Sequence, residues 1–316
     1  MSYRDFVKEG VDLRHETVMS IDPEKRGVVT DRASYESDIL VIALGADYDH
    51  AATPGFVEGG HDYYAVEGAE RLRDLLPGFN TGRVLMAVLG LPFKCPPAPY
   101  EGAILLHDSF VQRGVRDRIE MMLLTPEERP APVSAQVSDA LADAVRERQI
   151  DARFQELVVG IDPAARTATT KGGDTIPYDL FIGIPIHRVP DVVEAAGLTV
   201  DGWIPVDQAN LATRFPNVYA LGDVAGAPVP RAGVFAERSA VAVAQDIRAK
   251  LQGTAAEPFD GAGICYIEFG RGLVGKVDIN FLGGRDPVGI FIDPSHQGAE
   301  EKAEFGASRR RRWFGG

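Results

Sequence analysis

A doubly wound α/β architecture is the fold class that this 316-residue sequence predicts. Three observations carry the expectation. One segment recurs within the chain, a strand–helix series lies between its two copies, and an apolar strand near residue 220 runs into a long helix. The first copy, residues 19–46, reads MSIDPEKRGVVTDRASYESDILVIALGA; the second, residues 159–186, reads VGIDPAARTATTKGGDTIPYDLFIGIPI. Both run Ile-Asp-Pro, a β-like stretch, a turn, then Tyr and Asp leading into an apolar strand. Asp22-Pro23 answers Asp162-Pro163, and Asp38 answers Asp179. The pattern predicts two strands joined by a turn, then a buried strand ending in a loop. Either the copies are duplicated domains, or two β-hairpins resemble each other by chance.

The elements before the second copy follow in order. Arg83 to Leu91 reads as a strand, and Tyr100 to Arg113 as a helix with Ala103, Leu105, Leu106, Phe110 and Val111 at roughly helical spacing. Arg118 to Leu124 is a second strand, Ser134 to Arg148 a second helix and Phe154 to Gly160 a third strand. About 20 residues precede the first copy, against roughly 80 in the series before the second. If the copies are duplicated domains, about 60 residues of the first are absent. Phe215 to Asp223 is an apolar strand ending in Gly222-Asp223. Such a glycine lets the backbone come close, and the carboxylate can accept hydrogen bonds from sugar or ribityl hydroxyls. Alone, Gly-Asp after a strand is more often a plain turn. The helix expected from Gly233 to Lys250 would present free amides at Gly233 and Val234, with a partial positive charge. β-like stretches Cys265–Phe269, Gly275–Phe281 and Gly289–Ile292 follow.

Composition narrows the function classes. With 33 basic and 46 acidic side chains the net charge is -13, which argues against nucleic-acid binding through bulk electrostatics. The polar start Met1-Ser2-Tyr3-Arg4-Asp5 lacks a signal-peptide core, and no stretch reaches about 18 apolar residues. The expectation is a cytoplasmic protein. The basic, aromatic end Arg309 to Phe314 is the local exception, read either as a solvated tail or as a contact with anionic lipid at the inner membrane.

The two cysteines are the chain's most distinctive chemistry. Cys95 lies in Phe93-Lys94-Cys95-Pro96-Pro97-Ala98-Pro99-Tyr100-Glu101, after the apolar run Val84 to Leu91; Cys265 lies in Gly263-Ile264-Cys265-Tyr266-Ile267-Glu268-Phe269-Gly270. So far apart, they form neither a C-x-x-C turn nor a cysteine-rich zinc site, and no metal is expected. They are either two buried thiols or one disulfide, which inside a cell is more often catalytic than structural. The loop between Gly90 and Tyr100 is LPFKCPPAP, whose prolines at 92, 96, 97 and 99 supply no amide N–H for a pyrophosphate. Electrons therefore enter more readily through Cys95 than from a nicotinamide cofactor, the alternative being a nicotinamide site with an unusual loop.

These residues resemble the flavoprotein disulfide reductase superfamily, and within it the sulfide:quinone oxidoreductase and flavocytochrome c sulfide dehydrogenase group. Asp38 to Gly45, DILVIALG, resembles the strand closing the FAD domain, and Asn217 to Asp223, NVYALGD, resembles the second FAD motif. Cys95 and Cys265 match the group's two redox cysteines, the second in a C-x-x-(D/E)-F-G setting. The resemblance implies two Rossmann-like, FAD/NAD(P)-binding three-layer domains, the first incomplete, and an α+β C-terminal segment. The first would comprise residues 1–80 and 200–250, the second 81–199, and the redox and interface segment 251–316. Relatives begin with a strand and a Gly-x-Gly-x-x-Gly turn; none lies near Met1, so the sequence looks N-terminally truncated.

FAD is the implied cofactor, with Gly45, Gly222, Asp223, Gly233 and Val234 around it. The implied chemistry passes electrons from sulfide or a related thiol through a Cys95–Cys265 disulfide and flavin to a quinone or cytochrome. A c-type haem would belong to another subunit, since the chain has no C-x-x-C-H. Glu237 is the candidate proton carrier, with a plain helix-start carboxylate as the alternative; Lys94 reads first as a solvated lysine, with a lowering of the Cys95 pKa as the alternative. The C-terminal segment would make a homodimer or membrane contact. Two other readings remain: an NADH:quinone oxidoreductase of the same superfamily, and a non-catalytic remnant of the fold.

Overall fold

The computed structural model describes residues 10–132, 134–282 and 288–315. The polar start Met1–Asp5 lies outside the described residues. The chain opens with a three-stranded antiparallel meander, β1 (Val18–Asp22), β2 (Gly27–Thr30) and β3 (Ser34–Glu36), followed by β4 (Leu40–Ile42) and β5 (Asp47–Asp49). Short helix α1 (Phe56–Gly59) and α2 (Val66–Leu75) lead to β6 (Gly82–Val88). Then come α3 (Ala98–Gln112), β7 (Ile119–Thr125), α4 (Ala135–Glu147) and β8 (Ile150–Phe154).

A second meander, β9 (Val158–Asp162), β10 (Thr167–Thr170) and β11 (Thr175–Pro177), precedes β12 (Leu180–Ile184) and β13 (Ile186–Arg188). After helix α5 (Asp191–Ala195) come β14 (Val218–Ala220) and the long α6 (Gly233–Gln252). An antiparallel sheet of β15 (Ala262–Glu268), β16 (Val274–Asn280) and β17 (Val288–Ser295) and helix α7 (His296–Phe314) close the chain.

The centre is a four-stranded parallel sheet in the order β12-β6-β7-β8. β6 is apolar on both faces because both are covered: Val84, Leu85, Met86, Ala87 and Val88 are all at most 1% exposed. Each large side chain contributes about 1.5–3 kcal/mol on burial. One face packs on α3 and α4 through Tyr100, Ile104, Phe110 and Leu141; the other packs on the second meander through Val158, Ala168 and Phe181. α3 starts straight after Pro96-Pro97 and carries Pro99 in its first turn, where a missing amide N–H costs nothing.

The repeat seen in the sequence is a repeat of structure. Each copy is a three-stranded meander feeding a parallel strand: β1–β3 into β4, and β9–β11 into β12. The shared Asp-Pro turns are built alike, with Asp22 Oδ1 accepting from the amides of Glu24 and Lys25, and Asp162 Oδ1 from those of Ala164 and Ala165. The following Arg26 and Arg166 both take φ 54°. β4 pairs in parallel with β14, leaving Val41 and Leu44 at its edge 40% and 41% exposed.

One strand differs from expectation. Phe154 to Gly160 is not a single strand: β8 ends at Phe154, and β9 begins a separate meander at Val158. The break is a left-handed turn at Gln155, φ 58°, with no glycine to mark it. No described helix is long and apolar enough to cross a membrane.

Candidate active site

The loop between β6 and α3 carries Cys95 at the C-terminal end of the parallel sheet, where open α/β sheets place their chemistry. Cys95 takes φ 54°; its amide donates to the Arg231 carbonyl at 2.9 Å and its carbonyl accepts from the Ala98 amide at 2.8 Å. Cys265 comes from the middle of β15, which packs across α3. The fold brings both cysteines, as free thiols, into the wall of one apolar cavity of about 80 Å³. Pro97, Phe235, Ile267 and Phe281 complete much of that wall.

Electrostatics hold both thiols protonated. Burial first, then the neighbouring Glu101 carboxylate, pushes Cys95 up to about 12 against weaker opposing effects of the Ala98 amide and Lys302. Burial, then Cys95 and Glu101, drives Cys265 in the same direction. Glu101 is itself raised by burial, opposed chiefly by the hydrogen bond its Oε1 accepts from the Glu268 amide at 2.8 Å. Lys302 of α7 pairs with Glu268 at 2.7 Å and is the cation that acts on both thiols and on Glu101.

Glu101 and Lys302 were missed in the sequence. Glu101 reads there as a first-turn helix carboxylate, and only the docking of β15 reveals its partner. No local signal in the sequence points to it. Lys94 does not face the thiol: its Nζ donates to the Ala46 carbonyl at 3.3 Å and lies 4.4 Å from the Tyr48 ring centroid. Lys94 is thus a packed lysine rather than a solvated one, and it is not among the groups that act on the Cys95 thiol.

The implied flavin residues cluster at the ends of β4 and β14. Gly45 and Gly222 both take φ 72°, and Gly45 and Gly233 border open space. Asp223 is half-buried, its pKa raised by burial against Lys94 and Arg231, and its carboxylate accepts no hydrogen bond from the described residues. Arg231 lies over the Trp203 ring at 3.6 Å and donates from Nε to the Asp223 backbone carbonyl. α6 begins without a side-chain cap, which leaves the amides of Gly233 and Val234 open. An unbonded, desolvated carboxylate beside open amides suits a hydroxylated chain attached to a ring that gains negative charge. These residues fit the flavin end of FAD.

Glu237 lies one turn beyond Val234 on α6, in a cavity that Val234 and Ile279 also border. That cavity, of about 590 Å³, is lined as well by Asp278, Ile290 and Arg309, and Glu237 binds Arg309 and Arg312 of α7, each at 2.8 Å. It therefore joins α7 to α6. Three amides of the LPFKCPPAP loop are already taken, two of them by residues outside it. Lys94 N–H goes to His187 Nε2, Cys95 N–H to Arg231, Ala98 N–H to Cys95, and the amides of Tyr100 and Glu101 to the Pro97 carbonyl. Burial drops His187 to about 4, so it is neutral at pH 7, with Nδ1–H donating to the Pro185 carbonyl at 2.8 Å.

Comparison with known proteins places this geometry. Residues 101–245 match the family described as pyridine nucleotide-disulphide oxidoreductase. The mitochondrial sulfide:quinone oxidoreductase of Schizosaccharomyces pombe is 26% identical over 237 residues, 69% of this chain and 51% of that protein. The sulfide-quinone reductase of Aquifex aeolicus is 26% identical over 268 residues, 76% of this chain and 61% of that protein. The chain thus spans about half to three-fifths of the length of these curated relatives. The X-ray structure of the Aquifex aeolicus sulfide:quinone oxidoreductase superposes with a TM-score of 0.79 at 24% identity, over 92% of this chain and 73% of that one.

Proposed function

We propose that this chain, which carries a pyridine nucleotide-disulphide oxidoreductase domain and lies within the flavoprotein disulfide reductase superfamily, is the redox portion of an FAD-dependent sulfide-oxidising enzyme. The observation that carries the reading is the meeting of Cys95 and Cys265, 170 residues apart, in one apolar cavity. FAD would be held by Gly45, Gly222, Asp223 and the first amides of α6, and when bound it supplies a two-electron acceptor that passes its electrons on to a quinone or cytochrome.

In the oxidised form the two sulfurs are joined. Hydrosulfide attacks one of them; a new S–S bond forms between hydrosulfide and that cysteine while the Cys95–Cys265 bond breaks. The sulfide sulfur is oxidised to a persulfide, and the electron pair leaves on the other cysteine as a thiolate. This attack needs no ionised cysteine, but burial raises the pKa of the departing sulfur, which makes it a poor leaving group unless a proton reaches it. Glu101, with its raised pKa beside both thiols, is placed to hold a proton and give it to the departing sulfur. The small volume of the cavity excludes bulky thiols.

Direct supply of electrons from a nicotinamide is disfavoured, because four of the loop's nine residues are prolines and the amides of Lys94, Cys95 and Ala98 are already bonded. A quinone acceptor requires approach to a bilayer, for which the exposed Arg310–Arg312 end of α7 offers a basic surface, although Arg311 pairs with Glu304 and Arg312 with Glu237. Mass spectrometry of the chain after mild oxidation and a sulfide pulse tests the reading. A Cys95–Cys265 disulfide that converts to a persulfide on one of these cysteines supports it. Two unlinked thiols after oxidation, with no mass gained from sulfide, overturn it.

A further inference from the structure

We propose that Tyr63 and Tyr64 are positioning residues that clamp the Cys95 loop from two sides and hold Cys95 in its left-handed conformation. The inference deepens, and rests on, the reading of Cys95 as the point where electrons enter. Cys95 takes φ 54°, a region that side chains other than glycine and asparagine rarely adopt, so something around it must hold it there.

The holding device is visible in the hydrogen bonds. Rotation of the peptide between Lys94 and Cys95 is what φ of Cys95 measures. That peptide is pinned at both ends: its carbonyl, on Lys94, accepts from the Tyr64 hydroxyl at 2.9 Å, and its N–H, on Cys95, donates to the Arg231 carbonyl at 2.9 Å. Three residues on, the Ala98 carbonyl accepts from the Tyr63 hydroxyl at 2.9 Å. The two phenols thus grip the chain before and after the thiol. Burial pushes both phenols up, so they remain donors throughout the working pH range.

The tyrosines are themselves fixed. Asp62, 2% exposed, accepts from the amides of Tyr64 and Ala65 through Oδ1, and its Oδ2 lies 3.1 Å from His50 Nε2. The Tyr64 carbonyl accepts from the Tyr48 hydroxyl at 3.0 Å. Room for the Tyr63 hydroxyl exists because residue 102 is glycine; a Cβ there would lie 2.5 Å from that oxygen. None of these contacts touches sulfur, so the tyrosines act through the backbone that carries Cys95.

The test compares Tyr64→Phe, Tyr63→Phe and Gly102→Ala with wild type in the purified full chain. Tyr178→Phe is the control, since the Tyr178 hydroxyl is buried without a hydrogen-bond partner. Mass spectrometry follows iodoacetamide alkylation of Cys95 against Cys265 in the reduced protein, and glutathione buffers set the equilibrium of their disulfide. Tyr64→Phe is expected to raise the Cys95:Cys265 alkylation ratio about fivefold or more and to weaken the disulfide about tenfold, the worth of one net hydrogen bond. Tyr63→Phe and Gly102→Ala shift both readouts in the same direction; the control stays within about twofold. Alkylation ratios within about twofold of wild type for both phenylalanine variants overturn the proposal. If wild type forms no disulfide, the functional reading fails, and the alkylation ratio still decides the clamp.

Discussion

Asp108→Ala should loosen the hairpin that delivers Cys265, and the cost follows from the contacts of one carboxylate. Asp108 sits on α3 at 8% exposure. Its Oδ2 accepts from the Arg271 amide at 2.9 Å, and its Oδ1 lies 3.0 Å from His107 Nδ1 and 3.5 Å from Arg148 Nε. Arg148, also 8% exposed, in turn donates to the Phe269 carbonyl at 2.6 Å. The carboxylate fits because Gly270 has no Cβ, which would fall 2.2 Å from Oδ2, and because φ 76° suits glycine at this turn. Alanine removes a charged acceptor, worth about 1.5–3 kcal/mol, and strips a buried guanidinium of its counter-charge. Since one group supplies both effects they do not add, and breaking a buried pair sets the scale at about 3–5 kcal/mol. At about 2–4 °C per kcal/mol, the Tm falls by roughly 6–20 °C in differential scanning calorimetry. Asp108→Asn keeps an acceptor for the Arg271 amide and should lose about half as much. A fall below about 2 °C for the alanine variant, or equal losses for both variants, would refute the reasoning.

Glu101→Gln keeps the oxygen that accepts from Glu268 but removes the charge that helps raise both thiols. Cys95 alkylation at pH 8 should therefore speed up, while sulfide turnover falls about 10²-fold for want of the proton donor; a parallel fall in both counts against the assigned role. Glu127 is raised to about 7 by burial alone, and its Oε2 is buried with no hydrogen-bond partner. Its folded pKa lies above the ordinary 4.5, so its contribution to stability is present below about pH 4.5 and is lost as pH rises through about 7. Glu127→Gln should leave the Tm unchanged at pH 4 and raise it by about 2–6 °C at pH 8; a gain of equal size at both pH values would show that titration is not the cause.

Much of this fold was legible because its signals are local. The Ile-Asp-Pro turns repeat in sequence and in hydrogen bonding, and α3, α4 and α6 lie within two residues of their expected bounds. β8 was displaced because the turns at Gln149 and Gln155 are left-handed without glycine, so nothing punctuated the string between them. The pairing of Cys95 with Cys265 in one cavity came from a resemblance, since no local rule brings residues 170 apart together. Glu101, Lys302 and the tyrosine clamp were illegible for the same reason. Each acquires its role only when α7, β15 and the segment before α2 dock around the Cys95 loop. Neither reading of Lys94 foresaw its partners, because adjacency in sequence is not adjacency of side chains: its amide is on His187 and its ammonium on the Ala46 carbonyl.

The most direct test of the central claim is the visible spectrum of the purified chain supplied with FAD, recorded before and after sulfide and, separately, NADH. The account predicts a bound-flavin band near roughly 450 nm that bleaches with sulfide and not with NADH, and that no longer bleaches with sulfide in Cys95→Ser or Cys265→Ser. Bleaching by NADH, or by sulfide with both cysteines replaced, would contradict it.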